Sequence, residues 1–169
     1  MERSGPSTIY LLHQTSQALR SRLEHALRPL GVTGIQYTIL GLLKRHEGLS
    51  SAELSRRFFV TPQTMNQVVA GMISRGLLAR AASETNRRIL RMTLTAEGAR
   101  LLAQCEPIAD AIEAEALDDV PAGDLAQMRS HLRALLRQLR ASGGEQNTVL
   151  DPLPNAGLGQ APGAREAPA

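Results

Sequence analysis

Apolar residues recur at helical spacing from residue 7 to residue 30, where Leu12, Leu19, Leu23, Ala26 and Leu30 share one stripe. Gly31 follows as a residue free to take the positive φ that ends a helix. The stripe repeats over 34–46 with Ile35, Ile39, Leu42 and Leu43, behind Thr33 as N-cap. Ser50 and Glu53 have capping-box spacing, so a third helix is expected from 51 to about Phe58. A fourth opens with Thr61 as N-cap and Pro62 in the first turn, where a missing N–H costs nothing. After Arg75 and Gly76 the period changes. Leu77-Leu78-Ala79-Arg80 predicts a short strand, and Leu90, Met92 and Leu94 alternate with Arg91 and Thr93 as a half-buried strand does. The polar run between them makes a hairpin tip. Thr95 caps a fifth helix with the stripe Leu101, Cys105, Ile108 and Ile112, and Pro107 inside it predicts a kink or short break. A last helix follows Pro121, with Leu125, Met128, Leu132, Leu135 and Leu139 on one face. Residues 142–169 hold five Gly and four Pro with little apolar content, which predicts a disordered tail.

The pattern therefore divides the chain into a helical region from 7–31 and 96–141, a central unit over 32–95, and the tail. The stripes of the first and last two helices exceed what the small central unit can cover. A homodimer joined through the chain ends buries them; packing of those helices on one another is the intramolecular alternative.

Composition adds a direction. Only 2% of residues are aromatic against 43% apolar, so the core is aliphatic. From Lys44 to Arg100 there are ten Lys or Arg and four Glu, a net +6, whereas Leu101 to Val120 holds six acidic residues and no basic one. One face set against a polyanion explains that asymmetry, and a merely solvated surface is its bland rival. The single cysteine, Cys105, has no partner for an intramolecular disulfide. No basic-then-apolar leader and no run of membrane-spanning length is present, so a cytoplasmic protein without a membrane partner is expected. His13, His25, His46 and His131 have no metal-ligand spacing, and no Gly-rich phosphate loop follows a strand. Neither enzyme chemistry nor a cofactor is expected.

The third and fourth helices form a helix-turn-helix candidate from Ser51 to Arg75. On the fourth, Met65, Val68, Val69, Met72 and Ile73 share the inward face. Gln63, Thr64, Asn66, Gln67, Ala70 and Gly71 remain for the others. Asn and Gln pair with adenine edges, Ser and Thr with several bases, and a helix N-terminus favours phosphate. Ala70 and Gly71 let the helix lie close to a groove. Arg87 and Arg88 at the hairpin tip suit a narrow minor groove.

The pieces GVTGIQYTIL, GLSSAELSRRFFVTPQTMNQVVAGMISRGLLAR and NRRILRMTLTAEG, in that order, resemble the MarR (multiple antibiotic resistance regulator) family of transcription factors. The resemblance spans about Leu11 to Leu139 and is most specific from Gly31 to Gly98. It implies a mainly α fold with a small β-hairpin wing (α+β), a winged helix-turn-helix carried on terminal dimerisation helices. It implies a homodimeric repressor on a palindromic duplex, with the fourth helix in the major groove and the wing in the minor groove. The DNA-binding set is then Ser51, Thr61, Pro62, Gln63, Thr64, Asn66, Gln67, Arg87 and Arg88. Many members are released by a small aromatic or anionic effector bound between dimer region and winged helix. In that cleft Tyr10, His13, Gln17 and Tyr37 are the candidate lining; the competing reading puts Tyr37 in the core and His13 on the dimer seam.

This chain departs from the family pattern at three places. Asn86 stands where most members have Asp two residues before the wing arginine, and a neutral partner secures that arginine less firmly. Phe59 stands in the turn where Gly is common; a bulky residue disfavours positive φ, so a remodelled turn is expected. Oxidation-sensing members carry an N-terminal cysteine, absent here, and Cys105 reads as a packing residue. Two other uses of a winged helix remain to be weighed. A protein-interaction module calls for an apolar exposed face on the fourth helix. A sequence-tolerant architectural DNA binder calls for a lysine-rich surface, and this chain has one lysine.

Overall fold

The computed structural model describes residues 5–46, 48–82 and 90–142. Helix α1, Thr8–Leu27, starts at Ser7, whose hydroxyl accepts the Tyr10 N–H at 3.2 Å. It gives way to a 3-10 turn over Arg28–Leu30, because Pro29 cannot donate the next helical bond, and Gly31 at φ 64° turns the chain. Helix α2, Gly34–Arg45, opens on a reciprocal box between Thr33 and Gln36.

Strand β1, Leu49–Ser50, was not foreseen from the sequence; two residues carry no detectable period. Helices α3, Ser51–Phe58, and α4, Pro62–Ser74, follow, then strands β2, Leu78–Ala82, and β3, Leu90–Leu94. The three strands form an antiparallel sheet in the order β1-β3-β2, with Leu49 opposite Met92 and Leu78 opposite Leu94. Helices α5, Ala96–Ala116, and α6, Ala122–Ser142, complete the chain. Ser142 thus belongs to a helix, and residues 143–169 lie outside the described residues.

Of the kink or short break expected at Pro107, the break does not occur: α5 runs through it as one helix. Proline removes a single backbone bond there, while Leu102 and Cys105 one turn before it are buried and Ile108 packs beside them.

The main core joins α2, α3, α4, the sheet and α5 through fully buried Ile39, Leu40, Leu43, Leu54, Met65, Val69, Met72, Leu78, Met92 and Leu102. A smaller cluster of Leu27, Val32 and Cys105 lies where α1 meets α5, and Tyr37 packs against both. Three acidic residues of α5 reach other helices: Glu106 pairs with Lys44 at 2.7 Å, Glu113 with Arg129 at 2.7 Å, and Glu115 with Arg22. These pairs are half-exposed, each worth about 0–1 kcal/mol. No described helix is long and apolar enough to cross a membrane.

Candidate nucleic-acid interface

Helix α3 is fixed at its start by a complete capping box. Glu53 Oε2 accepts both the Ser50 N–H and the Ser50 hydroxyl at 2.7 Å, and the Glu53 N–H returns to Ser50 Oγ at 3.2 Å. Those bonds to Ser50 hold the Glu53 carboxyl below the ordinary glutamate range. The one carboxylate on this surface of α3 is therefore spent inside the helix cap.

The turn to α4 passes through Phe59 at φ 53° and ψ 38°. The expectation of a remodelled turn fails: the phenylalanine takes the left-handed conformation itself. Its N–H and that of Val60 both donate to Ser55 O, while Phe58 and Val60 on either side pack on the main core. These neighbours fix the backbone in spite of the side chain.

Helix α4 begins at Thr61, whose hydroxyl accepts the Thr64 N–H at 3.1 Å; the two threonine hydroxyls also bond each other at 2.8 Å. Thr64 is half-buried and its hydroxyl is tied to the cap. Met65, Val69 and Met72 are fully buried, with Val68 and Ile73 at the margin. Pro62, Gln63, Asn66, Gln67 and Ala70 are exposed. A Cβ on Gly71 would meet nothing within 4 Å, so this stretch of helix presents a shallow surface. Ser51, the first residue of α3, donates its hydroxyl to Asn66 Oδ1 across the motif.

Between α3, α4 and the sheet runs an open groove of about 860 Å³. Ser51, Arg56, Pro62, Asn66, Arg80 and Arg91 are among its lining residues. Sequence reasoning missed the three arginines. Nothing local separates them from solubilising residues, and only the register of β2 with β3 and the packing of α3 bring them to one groove. Arg91 is anchored there by donation from Nη1 to Gly48 O at 2.6 Å. At the far end of α4, Arg75 Nη1 donates to Gly31 O at 2.8 Å and reaches Gln36 Oε1 at 3.4 Å. The recognition helix is thereby tied to the elbow between α1 and α2. Asn86, Arg87 and Arg88 lie outside the described residues.

The four candidate effector residues differ in burial. Tyr10, His13 and Gln17 are exposed along α1, whereas Tyr37 sits between the two core clusters. Burial, then Asp110 and Glu106, push the Tyr37 phenol above its ordinary range. Cys105 is buried, and its thiol is pushed up by burial and by Glu106. A separate groove of about 510 Å³ between α1 and α6 is lined by Leu12, Met128, His131, Leu132 and Leu135 among others. Among the described residues no cluster of three or more His, Cys, Asp or Glu is placed to hold a metal ion.

Comparison with known proteins agrees with this arrangement. The family model described as MarR family matches residues 30–89. The HTH-type transcriptional repressor Rv2887 of Mycobacterium tuberculosis is 38% identical over 126 residues, covering 75% of this chain and 91% of the relative. The crystal structure of the M. tuberculosis MarR family protein Rv2887 in complex with DNA aligns at a TM-score of 0.63 and 34% identity, over 78% of this chain and 98% of that one. Its complex with p-aminosalicylic acid aligns at 0.63 and 36% identity, over 77% and 98%. With a helix-turn-helix, a wing sheet and these relatives, the chain belongs to the MarR family and is a DNA-binding transcriptional regulator.

Proposed function

We propose that the chain is a cytoplasmic, homodimeric repressor of a palindromic operator, released by a small aromatic or anionic ligand. The observation that carries this reading is the outer edge of α4. Gln63, Asn66 and Gln67 stand exposed on a helix whose opposite edge is buried in the core. Neutral amides on a rigid helix distinguish base edges in a major groove, whereas fixed charge there would favour any duplex. Ser51, Thr61, Pro62 and Thr64 surround the helix tip, where backbone N–H groups favour a phosphate. Arg56, Arg80 and Arg91 flank the tip and add attraction for the DNA backbone. Arg87 and Arg88 are assigned to the minor groove on sequence grounds.

Dimerisation is supported by the unpaired apolar faces of the terminal helices. Ile9, Tyr10 and Leu11 on α1 and Met128, Leu132, Leu136 and Leu139 on α6 are exposed in the single chain. A second copy covers such a surface, and a two-fold axis sets two α4 helices about 34–36 Å apart, one turn of duplex. The relative Rv2887 has been solved with DNA and with p-aminosalicylic acid, which supports both the operator and an aromatic acid as effector. Tyr10, His13, Gln17 and Tyr37 remain the proposed effector residues.

A gel-shift titration against duplex from upstream of the protein's own gene tests the reading. Specific binding should exceed binding to random DNA by a factor on the order of 10³ or more at physiological salt. Equal affinity for both would refute it. Added p-aminosalicylate should release the complex; a complex that survives millimolar ligand would remove that effector class and leave the DNA reading standing.

A further inference from the structure

The three exposed amides of α4 are not equivalent. Asn66 is the fifth residue of the helix, and the turn brings it against Ser51 at the start of α3. The Ser51 hydroxyl donates to Asn66 Oδ1, and among the described residues neither side chain makes another hydrogen bond. Gln63 and Gln67 carry no such bond among the described residues.

An asparagine amide offers one acceptor oxygen and an NH₂ with two donor hydrogens. Reading adenine uses both ends, the oxygen for the N6 amino group and the nitrogen for N7. With its oxygen held from the protein side, Asn66 turns its NH₂ away from Ser51, because oxygen and nitrogen lie on opposite branches of Cγ. An outward NH₂ matches a base edge that carries acceptors alone, guanine O6 and N7 or thymine O4, whereas adenine sets its N6 amino donor beside N7 and leaves it unpaired.

We propose that Ser51 is a positioning residue that sets the base preference of Asn66, committing its amide as a donor to an acceptor atom while Gln63 and Gln67 keep both ends free. This rests on the DNA-binding reading above. It also gives Ser51 a role distinct from a phosphate contact, since its hydroxyl is already engaged.

Selection of bound duplexes from a randomised pool, run with the wild type, S51A, S51T and N66A, tests it. The wild type should select guanine or thymine at one position in each half-site. N66A should flatten that position. S51A frees the oxygen and should admit adenine at the same position with a relative gain of roughly tenfold, within the range of one bidentate base contact. S51T keeps a hydroxyl and should keep the wild-type preference. A plain loss of stability in S51A would lower all affinities together and leave the selected sequence unchanged. An unchanged preference in S51A overturns the proposal, as does a change at a position that N66A leaves alone; in either case the DNA-binding reading stands. A wild type that selects no sequence overturns that reading and this one with it.

Discussion

Replacing Gly98 with alanine should destabilise the protein, although it sits in a helix. Gly98 is the third residue of α5, and Ala is favoured over Gly in a helix by about 1 kcal/mol. A Cβ there, however, would stand 2.2 Å from Leu77 O, 3.1 Å from Leu77 C and 2.9 Å from Leu94 Cδ1. The leucine methyl can turn away, but the carbonyl cannot. Leu77 O accepts both the Thr95 N–H at 3.2 Å and the Thr95 hydroxyl at 3.0 Å, and that hydroxyl also bonds Gly76 O at 2.7 Å. An ordinary C–H···O contact needs about 3.3–3.6 Å, so the helix start must move by roughly 1 Å. That shift breaks or lengthens the Thr95 N–H bond, the one hydroxyl donation shared by Leu77 O and Gly76 O, and the Gly98 N–H bond to Thr95 Oγ1, each worth about 0.5–1.5 kcal/mol. After the helix gain is subtracted, G98A should lose about 1–3 kcal/mol. Urea unfolding checks it: the midpoint should fall with an unchanged slope. Because Leu77 leads into β2, operator affinity of the folded protein should fall as well. A midpoint equal to or above wild type would refute the close-approach argument.

Three further outcomes are expected. Arg88→Ala should weaken DNA binding and lower the slope of log affinity against log salt by about one unit; an identical slope would take the wing off the duplex. The Glu53 carboxyl is depressed in the folded state, so its contribution is full above the ordinary glutamate range and is lost as pH falls through the lower folded value. Glu53→Gln should remove that part of the acid limb of a stability–pH curve, and curves that stay parallel would contradict the capping-box assignment. The Cys105 thiol stays protonated and buried at neutral pH, so a maleimide should label the folded protein far more slowly than the urea-unfolded one, and peroxide should not release DNA. Rapid labelling of the folded chain would overturn that.

Local signals were legible in the sequence and non-local ones were not. Thr33, Ser50, Thr61 and Thr95 were readable as caps because an N-cap bond spans two or three residues of chain. The division of α4 into a buried edge with Met65, Val69 and Met72 and an exposed edge of amides followed from the 3.6 period. A break at Pro107 was over-read: a lost backbone bond is a local penalty, and the packing of Leu102, Cys105 and Ile108 outweighs it. The two-residue strand β1, the arginine groove and the Ser51–Asn66 bond depend on contacts between separate elements, which no window of sequence displays.

What aims α4 is distributed along its length. At the start, Phe59 holds a left-handed backbone that costs a non-glycine residue about 1–2 kcal/mol. The residue is 42% exposed and cannot itself anchor the turn, so the restraint comes from Ser55 O and from the packing of Phe58 and Val60. In the middle, three buried side chains seat the helix on the core. At the end, Arg75 bridges to Gly31 O and Gln36 Oε1, at the elbow between α1 and α2. A glycine in place of Phe59 would lower the strain and also widen the range of angles open to the turn. With phenylalanine the start of the helix is stiff. A movement of α1 against α2 would reach the end of α4 through Arg75, and the start of the helix would have little slack to absorb it. In the proposed dimer, which sets two such helices one duplex turn apart, a small rotation at each end would be enough to spoil the spacing.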